Sequence, residues 1–259
     1  MTIPVSATDN LVGVLLSGLN LFRSSLRQIM SAISIQIITT IFMYLALLAL
    51  IFNVLIQPDM QQPGIGLILF FVFFLLIVVG IMLIFPLIYI RKYQAHTLGE
   101  TIKIRHIIQH SLPILRNFLL WTMGYIVIIY LVLLALLSKN TLMILLLFMP
   151  GLFALIAFSM SPFLLVLDSA NLTVSLKGSL DMLKGNWLRT AIYLLLVYIS
   201  LFVCYLLINQ ILVFFFQYIL LVTPYADALL KVTNALLATA LLPLFIALIY
   251  AYYIDLEKR

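Results

Sequence analysis

His106 and His110 stand one helical turn apart, the spacing of a two-histidine metal face, and His96 and Glu100 repeat that spacing upstream. A zinc site needs a third ligand and a supporting hydrogen-bonded shell. All three histidines lie in a basic segment between Arg91 and Arg116. Solvated or headgroup-facing imidazole accounts for them there, so neither a metal nor another cofactor is expected. No serine has a base close in sequence, and no GxGxxG, Walker loop, HExxH or GxSxG pattern occurs. The single cysteine, Cys204, lies inside an apolar run and reads as a buried, inert thiol. These residues point away from an enzyme.

A second set of polar residues lies within apolar sequence. Ser159, Ser161 and Asn209 are the candidates for a polar path, with Gln36, Thr39, Thr40, Asn53, Ser200, Gln210, Asn234 and Thr239 as lesser members. Interhelical hydrogen bonds are the simpler explanation for most of them. The stretch around Ser159 is interrupted twice, by Pro150-Gly151 and by Pro162. Each proline leaves a backbone carbonyl in need of another partner. Broken helices mark substrate sites in some transporters and are simple kinks in many other proteins.

The elements that carry these residues follow from composition. Of 259 residues, 66% are hydrophobic and 8% charged, and the mean hydropathy is +1.27. Soluble domains carry about 25% charged residues. A water-soluble globule of this size has no way to hide so much apolar surface. Six stretches lack Asp, Glu, Lys and Arg altogether: 28–58, 60–90, 117–138, 140–167, 190–226 and 232–254. Each exceeds the roughly 20 residues that span a bilayer. The expected fold is an all-α integral membrane protein of six transmembrane helices, a single polytopic domain over 1–259. No ionisable residue lies near the centre of a span, which argues against a proton pump, a voltage sensor or an ion-coupled carrier.

The basic residues orient the chain. Twelve of the 14 Lys and Arg fall on one side under this count of spans, and only Lys139 and Lys231 on the other. The positive-inside rule then puts both termini in the cytoplasm, in a bacterial inner membrane. Net charge +6 follows from that rule, so nucleic acid is not implied as a partner. The outer turns, near 57–64, 138–140 and 223–227, are too short to fold as domains.

Three cytoplasmic segments read as amphipathic interfacial helices. The first sets Leu11, Leu15, Leu19, Phe22 and Leu26 on one face, with Thr8 or Asp9 as its cap. The second aligns Ile104, Ile107, Ile108, Leu112 and Leu115, with a kink at Pro113. The third pairs an apolar stripe of Leu176, Leu180, Leu183 and Trp187 with a polar side of Ser175, Lys177, Ser179, Asp181 and Lys184. All three end in Leu-Arg, at Arg27, Arg116 and Arg189. These arginines are candidates for anchoring at lipid headgroups. The order helix, Leu-Arg, span, turn, span recurs at 8–90, 97–167 and 172–254, which suggests a threefold helix-plus-hairpin repeat. The alternative is that any cytoplasmic boundary tends to carry an arginine.

One stretch carries a family resemblance. Pro150, Gly151, Pro162 and Asp168 are followed by Ser175 and Ser179, then by Leu183, Asn186 and Trp187. This spacing resembles the YciC family of uncharacterised bacterial inner-membrane proteins. More loosely, it is similar to the six-span membrane domain of some glycerophosphodiester phosphodiesterases. The resemblance implies a multi-pass inner-membrane protein with no established activity, because the catalytic part of those enzymes is a separate soluble domain. Read from the residues alone, Asp168 or Asn171 caps the third interfacial helix, Ser175 and Ser179 lie on its polar face, and Asn186 ends it. The expected function is that of a non-enzymatic envelope protein contacting membrane lipids or a membrane-protein partner. The rival is a permease or lipid translocator with a path beside broken span four.

Overall fold

The structure, a computed structural model, describes residues 10–56, 65–138, 141–168, 171–215 and 226–259. The three expected outer turns lie wholly or partly outside these residues, as do Thr8 and Asp9. The described residues are all-helical, in nine α-helices: α1 Leu11–Ile56, α2 Ile65–Thr97, α3 Ile104–Leu137, α4 Thr141–Met143, α5 Met149–Ala157, α6 Ser161–Leu167, α7 Leu172–Leu183, α8 Trp187–Phe214 and α9 Ala226–Glu257. Six stretches are long and apolar enough to cross a membrane: α1, α2, α3, the broken run from Ile144 to Leu167, α8 and α9. The architecture fits a multi-pass membrane protein.

The C-terminal half of α9 is the hub. Residues from Ile246 to Tyr253 are buried without a break. A helix apolar on every face belongs at the centre of a bundle, and α1, α2 and α8 surround this one. Among the described residues, α1 packs most extensively against α9. A Cβ on Gly18 of α1 would stand 2.9 Å from the Cα of Leu248, so only glycine permits that approach.

Two of the three expected interfacial helices are not separate elements. α1 runs unbroken from Leu11 through Arg27 into its span, and α3 runs unbroken from Ile104 through Pro113 and Arg116. Nothing in either sequence stops helix propagation at the Leu-Arg boundary. Proline at the tenth position of α3 removes one donor without ending the helix. The cap of α1 is Asn10, whose Oδ1 accepts from the Val12 N–H at 3.0 Å.

The expected apolar stripes of α1 and α3 lie beside the most buried positions and pack against the core except at Leu19 and Leu112. Over residues 11–30 of α1 the buried positions are Val14, Gly18, Leu21, Ser25 and Ile29, while Leu19 is exposed. Over residues 104–120 of α3 they are Ile107, Ser111, Ile114 and Phe118, while Leu112 is exposed. Lipid tails are as apolar as leucine, so leucine gains little by leaving them. Small and hydroxylated residues gain close packing and hydrogen bonds.

Broken span four shows two distinct adjustments. Pro150 has no N–H for the preceding turn, and the backbone widens to π-helix over Ile144–Phe148 just ahead of it. Gly151 serves packing: a Cβ there would stand 2.5 Å from Cγ2 of Val132 on α3. The real interruption is between α5 and α6. The Ser161 N–H turns to the Phe158 carbonyl at 3.3 Å, which frees the Ala157 carbonyl. Ser179 of α7 donates its hydroxyl to that carbonyl at 2.6 Å.

α7 is the third expected helix, and it is a separate element. Its serine face is turned inward. Ser175 and Ser179 are buried, against expectation, and Lys177, Asp181 and Lys184 are exposed. The small residues allow close approach to α6, where Leu164 Cδ1 lies 3.0 Å from a Cβ built on Gly178. Asp168 ends α6 rather than capping α7. Asn171 takes the N-cap position of α7 without a side-chain cap bond. Gly185, at φ +78°, makes the left-handed turn that ends α7, and Asn186 opens α8.

Candidate functional site

Two adjoining apolar cavities lie beside the broken span. The larger, about 510 Å³, is lined by α3, α5 and α8, with Tyr125, Leu155, Ile156, Ala191, Leu194 and Tyr198 among its walls. The smaller, about 230 Å³, reaches inward to Pro86 of α2, Ser159 and Pro162 at the break, and Ile246 of α9. Tyr125, Leu194 and Tyr198 line both. The break creates this space, because α5 and α6 do not continue as one rod and leave the neighbouring helices without a partner over a turn. Tyr125 donates its hydroxyl to the Leu155 carbonyl at 2.9 Å, and Ser159 donates to the Ile156 carbonyl at 2.7 Å. Backbone thus satisfies these two hydroxyls, while the Trp121 indole N–H at the wall of the smaller cavity is buried without a hydrogen-bond partner among the described residues. What remains is an apolar surface, suited to a hydrocarbon chain rather than to a hydrated solute.

A third cavity, about 320 Å³, has a different character. It is formed by the ends of α2, α6 and α9 and lined by Gln94, Thr97, Asp168, Tyr250, Tyr253 and Glu257, with Lys258 beside them. It lies about one turn beyond the smaller apolar cavity. Ile90 precedes Gln94 by four residues on α2, and Phe163 precedes Leu167 by four on α6. Phe163 of the smaller apolar cavity packs against the tyrosines of the third, its centroid 6.1 Å from that of Tyr250 and 5.5 Å from that of Tyr253.

The expected site residues are dispersed. Arg27 and Arg116 are exposed, as headgroup contact requires. Arg189 is different: its Nη2 donates to Oδ2 of buried Asp255 at 2.8 Å. An ion pair holds it. The three polar-path residues do not meet. Ser159 lines the smaller apolar cavity. Ser161 is fully buried, with its hydroxyl unpaired. Asn209 lines none of the cavities described above. His106 and His110 are exposed and in edge contact, ring centroids 4.3 Å apart. Among the described residues no third His, Cys, Asp or Glu joins them. His96 instead meets Ser24 of α1, Nε2 to Oγ 3.0 Å.

Sequence reasoning missed three features. Asp255 is wholly buried between Arg189 and Arg259, and its Arg259 partner at the fourth position beyond was a visible signal. Lys92 is buried and donates to the Ile102 carbonyl at 2.6 Å, which ties the connection after α2 back onto its own helix. Tyr253 on the hub helix carried no signal in the sequence.

Compared with models of known families, with curated proteins and with solved structures, the chain matches none.

Proposed function

We propose that this chain is a non-enzymatic, multi-pass envelope protein that holds a lipid chain in the groove between α3, α5 and α8. The observation that carries the reading is the pair of adjoining apolar cavities at the broken span, about 510 and 230 Å³. Sites of several hundred Å³ lined by apolar and aromatic side chains are typical of ligand pockets. The charge distribution supports a bacterial inner-membrane setting with both termini cytoplasmic. The exposed Arg27 and Arg116 then lie at headgroup level, and α7 lies along the same face. The recurring Leu-Arg boundaries support a threefold repeat, and the 149–189 pattern supports kinship with the YciC family. A membrane-protein partner is the alternative occupant of the groove.

The permease reading rests on a polar path, and Ser159, Ser161 and Asn209 share none of the cavities described above. The cavities favour an apolar occupant, which leaves a lipid translocator as the relevant form of that rival.

The test is lipid retention. Protein purified from native membranes should keep at least one lipid per chain in lipidomic analysis of the eluate. Ala191→Trp, which fills the larger cavity, should lower that retention. A wild-type chain that keeps no lipid defeats the proposal.

A further inference from the structure

The cavity at the ends of α2, α6 and α9 has an unusual inventory. It combines two carboxylates, Asp168 and Glu257, with two tyrosine rings and the polar side chains of Gln94 and Thr97. Positive charge comes from Lys258 in the wall and from Arg91, which donates to Gln94 Oε1 at 3.1 Å and couples electrostatically to Asp168.

The tyrosines supply an independent observation. Buried tyrosine hydroxyls find partners as a rule. Here Tyr89 donates to Gln36, Tyr93 to the Pro243 carbonyl, and Tyr193 to the Leu248 carbonyl. Tyr252 meets Thr190 at 2.9 Å, and Tyr250 meets Thr97 at 3.4 Å. Tyr253 is the exception. It is 4% exposed and lines the cavity, within electrostatic reach of Asp168 and Glu257, and among the described residues its hydroxyl has no hydrogen-bond partner.

We infer that this cavity binds a primary ammonium group. Three features converge on that chemistry. Carboxylates on two elements supply acceptors for a cation with three N–H donors. The rings of Tyr250 and Tyr253 form an aromatic wall beside them. The unpartnered Tyr253 hydroxyl supplies one further acceptor. The volume, about 320 Å³, is many times the roughly 30 Å³ that one water occupies in the liquid, so the group enters with its substituent. The cations at Arg91 and Lys258 make the cavity complementary to a zwitterion, ammonium towards the carboxylates and anion towards the rim.

Two sources present this group: the headgroup of an amine phospholipid and a soluble amine. The lipid source rests on the lipid-holding function proposed above, because its tail would enter the apolar cavity one turn away. The soluble source does not.

The experiment has an arm for each. Purified full-length protein is given equimolar, chain-matched phosphatidylethanolamine, phosphatidylcholine and phosphatidylglycerol, and adducts are counted by native mass spectrometry. The expected result is about tenfold preference for the ethanolamine lipid over the choline lipid, the worth of a charge-assisted hydrogen bond that a quaternary ammonium cannot make. Asp168→Asn with Glu257→Gln should bring the two to parity. Tyr253→Phe should reduce the preference and leave the melting temperature unchanged, because the hydroxyl bonds nothing among the described residues. In the second arm, spermidine and free ethanolamine are titrated calorimetrically into wild-type protein and the double variant. Binding that needs the carboxylates, without lipid preference, assigns the site to a soluble amine. Equal retention of all three lipids together with no amine binding overturns the inference. Loss of every lipid adduct with carboxylate-dependent amine binding intact overturns only the groove.

Discussion

Arg189 at the start of α8 and Asp255 near the end of α9 form an ion pair, Nη2 to Oδ2 2.8 Å, with the carboxylate wholly inaccessible. Arg259 approaches the same oxygen at 3.3 Å. Both partners lie at the charged end of the bundle, where α8 and α9 must be held against each other although the residues around them gain little from mutual burial in lipid. Removing one partner of a buried pair costs roughly 3–5 kcal/mol. Partial exposure of Arg189 and the remaining Arg259 reduce that to about 2 kcal/mol for Arg189→Met. The expected outcome is a clear fall in the thermal unfolding midpoint in detergent. Arg189→Met with Asp255→Leu should recover most of the loss. Additive losses in the double variant would show that the pair is not coupled.

Gly18 and Gly80 predict opposite responses to the same change. At Gly18 a Cβ meets the Leu248 backbone at 2.9 Å, and at Gly80 it meets nothing within 4 Å. Gly18→Ala should destabilise by about 1–3 kcal/mol through forced separation of α1 and α9. Gly80→Ala should stabilise by up to about 1 kcal/mol through helix propensity. Chemical or thermal unfolding of the two variants side by side gives the sign directly.

The two serines of α7 should separate as cleanly. The Ser179 hydroxyl holds the carbonyl freed at the break, Ala157, at 2.6 Å. Ser175 donates to Asn171, within its own helix, at 3.1 Å. Ser179→Ala should cost about 1–2 kcal/mol, because a buried carbonyl loses its donor. Ser175→Ala should be near neutral. Faster amide exchange in α5 and α6 of the Ser179 variant alone would place the loss at the break. Equal behaviour of the two variants would contradict this assignment.

Gln36 and Tyr89 link α1 to α2 through a buried side-chain hydrogen bond. Tyr89→Phe leaves the Gln36 amide without its donor, and Gln36→Leu leaves the phenol without its acceptor. Their double-mutant cycle should return about 0.6–1.7 kcal/mol of coupling, the range of such bonds between membrane helices. A coupling of zero would mean that each group finds another partner.

The number and placement of the spans are legible in the sequence because both depend on local quantities, the length of a charge-free apolar run and the position of its flanking charges. Six expected runs correspond to six helical stretches of membrane-spanning length. The interruption of span four is equally local: Pro150 and Pro162 lack a donor wherever they are placed. The recurrence of leucine is a local pattern as well, and it reports lipid exposure as readily as core.

What only the tertiary structure decided is which face of each helix turns inward and which polar groups meet. Leu19 and Leu112 are exposed, while Gly18, Ser25, Ser111, Ser175 and Ser179 are buried. In water the apolar stripe marks the core, because burial removes hydrocarbon from solvent. In lipid that driving force between helices vanishes, and close approach and hydrogen bonding choose the interface instead. The pairing of Arg189 with Asp255, 66 residues apart in the chain, and the gathering of Asp168, Tyr253 and Glu257 around one cavity depend on that choice. Sequence spacing does not carry it, because helix rotation is settled only when the neighbouring helices dock.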